Sequence, residues 1–429
     1  MNRKSKIALA LILVIVLFTG VLTPAASAYP YPTAAITKML KVAVGTILPA
    51  GNFQFVITPV GVNNSTAELP PAVGTGTVTI AMPSDEGDCT CEPACAADVV
   101  HYYRESAELF GNITWPHVGI FEYSITETPN TVTGLQLGEN MNYSQAVYRV
   151  RVFVQADDTG RLYVHNIAAY RDVLDDGTVP DDPEKVDPTP GGNPPNYYYS
   201  QMAFQNIYTK HTGGGGTDPV NRYTLGVNKI VAGDYGSTSQ FFNFSMTVTR
   251  PSLITEATTV YKAYVVEGTA TVGLDNITNN GLTQAGSDAG GAYANITSGQ
   301  PFTFRLRHNQ RLSFTNTHVG SSYTVGETGI AGYIPEVVIT TNSVPGGTLT
   351  GTEGANLMVP TAGTVYPTRP LVGEGNSANR ATFTNTNDFE DEMGLNFSDL
   401  PFYGLILLAL GGIVVLTIIK ARSRKRYHY

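Results

Sequence analysis

The sequence predicts an all-β protein built from two sandwich domains in series. Glycine (44), proline (26) and tyrosine (24) are abundant among the 429 residues, while charged residues make up only 14% of the chain. This mixture favours short strands and turns over long helices. Apolar and polar residues alternate in segments such as 148–154 and 302–306, as they do in strands with one buried face. Helical periodicity is confined to the apolar runs near the two termini, so two β-sandwiches are expected.

The first 28 residues have the features of a secretory signal peptide. Basic residues precede the apolar run Ile7–Phe18, and Ala26-Ser27-Ala28 offers small residues at a cleavage position. An uncleaved membrane anchor is the alternative, but the run is short for a membrane span. We therefore expect the mature chain to begin at residue 29.

The C-terminal end predicts one membrane anchor. Residues 401–419 contain no charged side chain and are long enough to cross a bilayer. The basic tail 420–429 follows at once, and positive charge stays on the cytoplasmic side. Residues 29–400 are accordingly expected outside the cell, with residues 389–400 as an acidic spacer before the membrane.

A glycine-rich segment divides the external part into two. Four consecutive glycines begin the segment 213–221, which we interpret as a linker. It separates a first domain, residues 29–212, from a second domain, residues 222–388. The two are similar in length, and each shows strand-like alternation.

The charge distribution excludes a nucleic-acid-binding role. Of the 26 lysines and arginines, eight lie at the two ends of the chain, so the body keeps 18 against 35 acidic residues. A body this acidic is repelled by nucleic acid and by anionic lipid.

All three cysteines lie in one short string: Cys89, Cys91 and Cys95. We expect one local disulfide and a free thiol in an exposed loop. Zinc is the alternative, although a tetrahedral site needs a fourth ligand, for which His101 is near in sequence. Since the rest of the external part has no cysteine, another kind of cross-link is expected to stabilise it.

The two domains carry the same three residue types in the same order: Lys38, Glu127 and Asn206 in the first, and Lys229, Glu327 and Asn385 in the second. Each lysine follows an apolar residue by two positions, and an F-x-F string comes after it. Each glutamate ends a Y-x-[IV]-x-E string, and each asparagine ends an F-x-N string. The domains therefore look like repeats with loops of different length.

Strand parity places these polar residues on apolar faces. Side chains at i and i+2 share a face of a strand, so Lys38 lies with Ile36 and Leu40, and Glu127 lies with Ile125. Lys41, three residues after Lys38, falls on the opposite face. Lone buried charges are unfavourable, so each set of three should be paired or chemically altered.

One reaction suits such a set. Burial lowers the pKa of a lysine and makes it a neutral nucleophile, while a glutamate whose pKa is raised can shuttle protons. Attack on the asparagine carbonyl expels ammonia and leaves an uncharged amide cross-link. The reaction would occur once in each domain.

With these motifs, both domains resemble the isopeptide-forming domains of Gram-positive pilins, of the streptococcal pilin isopeptide-linkage type. The string 307–310, before the second glutamate strand, is also similar to a hairpin of that family. The resemblance covers residues 33–388 and implies Ig-like sandwiches with the cross-link between the first and last strands. It implies that the lysine of each set bonds the asparagine of the same set, with the glutamate assisting.

The chain departs from sortase-built pilins at two motifs. The string nearest to LPxTG, residues 400–404, has Tyr403 where a sortase requires threonine. Val365-Tyr366-Pro367 is followed by Thr368, where the polymerisation motif has a lysine. A membrane-anchored stalk is therefore expected in preference to a wall-linked polymer.

The leading hypothesis is a structural surface protein of pilin type. It would be no enzyme beyond its own single reaction, would need no cofactor or metal, and would bind no small-molecule substrate. Its partner would be the membrane. The alternative is an adhesin whose first-domain loops, including 89–95 and the tyrosines 197–199, contact a host or a neighbouring cell.

Overall fold

The computed structural model describes residues 32–82, 98–191, 199–212, 218–220, 225–256, 258–275, 280–341, 344–359, 379–388 and 400–424. Two β-sandwich domains and one C-terminal helix make up this part of the chain. The all-β class and the two-domain architecture predicted from the sequence are confirmed. The predicted signal peptide, the three cysteines and most of the predicted linker lie outside the described residues.

In the first domain a four-stranded sheet faces a six-stranded one. The strands are β1 (Thr37–Ala43), β2 (Gly51–Val62), β3 (Thr77–Met82), β4 (Val99–Glu105), β5 (Gly119–Thr128), β6 (Glu139–Asn142), β7 (Val147–Ala156), β8 (Leu162–Val173), β9 (Glu184–Val186) and β10 (Ala203–Lys210). Their order is β4-β1-β10-β6 in one sheet and β3-β2-β5-β7-β8-β9 in the other. Every second residue of β5 and β7 is buried, because the pleat directs alternate side chains between the sheets.

The second domain repeats this plan, but here the sheet that contains the first and last strands is the larger one. Its strands are β11 (Leu225–Ala232), β12 (Phe242–Thr249), β13 (Val260–Glu267), β14 (Ala270–Thr271), β15 (Gly286–Asp288), β16 (Gly291–Thr297), β17 (Phe302–Leu306), β18 (Gln310–Phe314), β19 (Ser322–Glu327), β20 (Ile334–Thr341), β21 (Val344–Thr350), β22 (Leu357–Val359) and β23 (Asn379–Thr386). One sheet runs β15-β16-β13-β18-β11-β23-β20-β21, with β14 paired to β13, and the other runs β17-β12-β19-β22.

In both domains the first strand pairs in parallel with the last. β1 lies beside β10, and β11 lies beside β23. Parallel neighbours need a long crossover connection, and here the crossover is the rest of the domain. The chain therefore enters and leaves each domain on adjacent strands, which places residues far apart in sequence side by side.

Each domain has its own core. One cluster of buried apolar residues extends from Ala34 to Tyr208 and another from Leu225 to Phe383. A small cluster that includes Val99 joins the two domains. The separate cores agree with two sandwiches in series.

Hydrogen bonds connect the end of β10 directly to the second domain. The Thr212 N–H donates to the Thr317 carbonyl at 2.8 Å. The His211 ring lies against the His318 ring, with 3.2 Å between their Nε2 atoms. Contact with the second domain thus begins before the predicted linker 213–221.

The C-terminal helix α1 extends over Leu400–Arg424. Its segment Tyr403–Arg422 is long and apolar enough to cross a membrane, and its side chains are not buried against the domains. The predicted span 401–419 lies within this helix.

Candidate functional site

The first candidate site lies between the two sheets of the first domain. Lys38 on β1, Glu127 on β5 and Asn206 on β10 are all buried. Lys38 Nζ donates to both carboxylate oxygens of Glu127 at 2.9 Å, and Asn206 Nδ2 donates to Glu127 Oε1 at 2.8 Å. One carboxylate therefore holds both the amine and the carboxamide.

The second domain contains the same arrangement. Lys229 on β11, Glu327 on β19 and Asn385 on β23 are buried. Lys229 Nζ donates to the two oxygens of Glu327 at 3.2 and 3.0 Å, and Asn385 Nδ2 donates to Glu327 Oε1. The structure thus brings together the three members of each predicted set.

A shared strand register accounts for the likeness of the two sites. Leu40 stands opposite Asn206, and Val231 stands opposite Asn385. Each of these apolar residues comes two positions after the lysine of its site, so lysine and asparagine share a face. Neighbouring strands lie about 4.8 Å apart, which brings the two side chains within reach of each other.

Aromatic side chains enclose both sites. Lys38 Nζ lies 4.7 Å from the ring centre of Phe53, and Lys229 Nζ lies 4.0 Å from that of Phe242. These rings are the first phenylalanines of the two F-x-F strings. The second phenylalanine of each string packs on the phenylalanine of the F-x-N string. The phenylalanines of the F-x-F and F-x-N strings therefore line the sites.

Burial shifts the pKa values of the lysines and glutamates in the directions that favour their neutral forms. It lowers the pKa of Lys38 and of Lys229 to about 8, against the attraction of the adjacent carboxylates. The same burial raises the pKa of Glu127 and of Glu327, against the opposing effect of the lysines. Proton transfer from the amine to the acid is therefore much easier here than in water.

The two sites differ at the asparagine carbonyl. Asn206 Oδ1 accepts the backbone N–H of Ser144 at 2.8 Å. Asn385 Oδ1 is buried and has no hydrogen-bond donor among the residues that the structure describes. Ser144 Oγ in turn donates to Asp175 Oδ1 at 2.6 Å. Sequence reasoning missed Ser144 and Asp175, because no motif marks a loop N–H that faces a distant side chain.

Other features singled out in the sequence contribute nothing to these sites. Lys41 is half-buried on the opposite face of β1, as parity predicts. The string 89–95 lies outside the described residues, and no group of three metal-ligating side chains occurs within them. Tyr199 stacks on Tyr103 of β4, with ring centres 4.8 Å apart.

Two family models match the chain, one in each domain. Residues 34–209 match the model of the Spy0128-like isopeptide containing domain. Residues 223–359 match that of a domain of unknown function, DUF7601, which ends before Asn385. Among curated proteins, no sequence matches this chain.

Several solved structures are similar over most of the chain. The major pilin from Streptococcus pyogenes is 17% identical, with a TM-score of 0.30, and the alignment covers 84% of this chain and 99% of the pilin. A second major pilin of that organism, T3.2, is 15% identical, with a TM-score of 0.29 and coverage of 84% and 99%. The pilus-presented adhesin Spy0125 is 9% identical, with a TM-score of 0.22 and coverage of 82% and 100%. With TM-scores below 0.5, these structures do not establish a shared function.

The match over the first domain defines the class of protein as a pilus-type structural or adhesive protein of the cell surface. The first domain belongs to the Spy0128-like isopeptide-containing family, and this match supports a Gram-positive pilin-type surface protein. The resemblance drawn from the sequence motifs is thereby confirmed for the first domain.

Proposed function

We propose that the protein is a membrane-anchored surface stalk in which each domain closes one Lys–Asn isopeptide bond upon itself. The observation that carries this proposal is the double contact of Glu127, whose carboxylate touches both Lys38 Nζ and Asn206 Nδ2. Glu327 makes the same double contact in the second domain.

The reaction begins when Lys38 passes a proton to Glu127, in the direction favoured by the two pKa shifts. The lone pair of Nζ then attacks Cγ of Asn206, and Oδ1 takes the negative charge. Glu127 gives its proton to Nδ2 and receives another from Nζ. The Cγ–Nδ2 bond breaks, ammonia leaves and a neutral amide remains, with Glu127 protonated in the core.

The products suit a buried environment better than the reactants do. The lysine and the glutamate begin as a charged pair, whose removal from water is costly even when well paired. After reaction the site holds an amide and a neutral carboxylic acid. The step occurs once and consumes no external substrate or cofactor, so the protein needs no other enzymatic activity for it.

The position of the bond gives it a mechanical role. It joins β1 to β10 in one domain and β11 to β23 in the other, the strands on which the chain enters and leaves. Tension along the chain then passes through a covalent link instead of the hydrogen bonds of the sheets. A stalk that holds its outer end away from the cell requires this property.

Anchoring is proposed from the end of the chain. Helix α1 can cross a bilayer, and basic residues follow its apolar part, which keeps the C-terminus in the cytoplasm. Both domains would then lie outside. The acidic residues before the helix would keep the second domain off an anionic membrane.

Peptide mapping of the full chain tests the cross-links. After proteolysis, one peptide containing Lys38 should be joined to a peptide containing Asn206, with the loss of one ammonia, and Lys229 should be joined likewise to Asn385. Glu327→Ala should abolish the second joined peptide and leave the first. If neither joined peptide is found in the unaltered chain, the isopeptide proposal is wrong.

A further inference from the structure

The first site contains a hydrogen-bond donor aimed at the atom that becomes charged during the proposed reaction. We propose that the Ser144 backbone N–H is an oxyanion donor for the first-domain cross-link, held in place by Asp175 and by the Ser144 hydroxyl. This inference rests on the proposed isopeptide reaction. It identifies a catalytic backbone group and two positioning side chains outside the Lys–Glu–Asn set.

The donor is already in place before reaction. Ser144 lies in the loop between β6 and β7, and its N–H meets Asn206 Oδ1 at 2.8 Å in a buried site. When Nζ of Lys38 attacks Cγ, the C–O bond becomes single and Oδ1 becomes negative. A fixed donor in a water-excluded site stabilises such a charge without reorganisation, and removal of one donor typically slows acyl transfer about 10²–10³-fold.

Asp175 connects the loop to the strand that carries the asparagine. Its Oδ1 accepts the Ser144 hydroxyl at 2.6 Å and the Gln205 N–H at 2.8 Å. Gln205 is the residue before Asn206 on β10. One oxygen atom therefore fixes the loop donor and the asparagine strand relative to each other.

Two further bonds hold the loop in shape. The Gln145 N–H donates to the Asp175 carbonyl at 2.9 Å, and the Ala146 N–H donates to Ser144 Oγ at 3.1 Å. The loop after β8 and the loop before β7 are thus joined through Asp175. Loss of this residue should let the Ser144 N–H move away from Oδ1.

The second domain provides a control within the same molecule. Asn385 Oδ1 has no donor among the described residues, so changes at Asp175 should leave the second cross-link unaffected. Asp172, which precedes Asp175 in the same segment of the chain, provides a matched control. It pairs with Arg149 at the surface, at 3.0 Å, and contacts no member of the site.

The test follows formation of both cross-links in time. The full chain is made by pulsed cell-free synthesis with nanodiscs, samples are denatured at intervals, and joined peptides are counted by mass spectrometry. Asp175→Ala and Ser144→Ala should each slow the first-domain cross-link by about 10–100-fold. Asp175→Asn keeps the accepting oxygen but removes a charge that raises the pKa of Lys38 and of Glu127, so it should recover most of the rate that is lost in Asp175→Ala. Asp172→Ala should have no effect.

The outcomes separate this inference from the proposed function. If the unaltered chain forms no first-domain cross-link, the proposed reaction itself fails. If it forms the cross-link and Asp175→Ala and Ser144→Ala match its rate, only the role of the Ser144 N–H fails. Equal slowing by Asp175→Asn and Asp175→Ala also overturns it, because charge and not hydrogen bonding would then matter. Resistance of the first domain to a brief protease pulse, applied to part of each sample before denaturation, reports whether it has folded, and rates are compared among folded chains.

Discussion

Two substitutions that both abolish the first cross-link should destabilise the first domain to different extents. Asn206→Ala removes the electrophile but leaves Lys38 paired with Glu127. Glu127→Ala removes the proton shuttle and also leaves the Lys38 amine without its partner at a site that is fully buried. We expect Glu127→Ala to be the more destabilising change.

Both variants lose the stability that the cross-link provides, and Glu127→Ala loses more. A cross-link from Lys38 to Asn206 closes a loop of about 170 residues, and the chain-entropy model assigns such a loop about 5 kcal/mol. Both variants lose this contribution. Glu127→Ala should lose about 3–5 kcal/mol more, the usual result of removing one partner of a buried pair. Deprotonation of the lysine limits this extra loss, since moving from a pKa of about 10.4 to pH 7 costs about 5 kcal/mol.

The assay uses the single tryptophan of the chain. Trp115 is buried in the first core, 4.8 Å from the ring centre of Phe121. Its fluorescence during guanidinium unfolding of the detergent-solubilised chain therefore reports the first domain alone. Glu327→Ala, the matching change in the second domain, should leave this transition unmoved.

The pH dependence supplies an independent check. In Glu127→Ala the folded pKa of Lys38 falls below about 8, under its unfolded value, so the folded state binds fewer protons and stability rises with pH. In Asn206→Ala, Glu127 remains and its folded pKa is raised. The stability that protonation of Glu127 contributes is therefore lost as the pH rises through that pKa. The difference in unfolding free energy between the two variants should narrow from pH 6 to pH 8. Equal unfolding free energies for the two variants at pH 6 would refute the reasoning.

Three further results are expected. Glu327→Ala should restore one ammonia to the mass of the protein and leave an unreacted Lys229, as shown by peptide mapping. Protease added to intact cells should cut within the two domains and spare the tail 420–429. Burial lowers the pKa of His211, and that of His318 to about 4, so docking of the domains should be fully present above about pH 6.5 and lost as the pH falls through these lowered values. Small-angle scattering should show the protein expand as the domains separate, and replacing both His211 and His318 by Phe should remove this pH dependence.

Most of the geometry of the two sites could be predicted from the sequence, because it depends on the strand face that each residue occupies and on the order of the residues along the chain. Alternation on a strand is read directly from residues such as 36–40, and a buried lysine on an apolar face has few stable arrangements. The repeated order of lysine, glutamate and asparagine then indicated which strands must meet. These features depend on backbone periodicity, which is local.

What the sequence could not supply depends on loops. The bond from the Ser144 N–H to Asn206 Oδ1 involves a backbone group, which every residue type except proline possesses. Its direction is set by the path of the chain between β6 and β7 and by Asp175, which comes after β8. The contact of His211 with His318 likewise depends on how two finished domains dock. Neither follows from periodicity or composition.

Stretching single molecules would test whether the cross-links carry tension. The parallel pair β1–β10 is loaded from opposite ends when the chain is pulled, so its hydrogen bonds bear the force in shear. In the unaltered chain the bond from Lys38 to Asn206 should take this load, and the residues between them should not extend. In Asn206→Ala the pair should yield and release about 170 residues, which at about 3.5 Å each add about 600 Å of contour length. The second domain, still cross-linked, should stay closed in the same record. Extension of the first domain by this length in the unaltered chain would show that no covalent bond bridges its first and last strands.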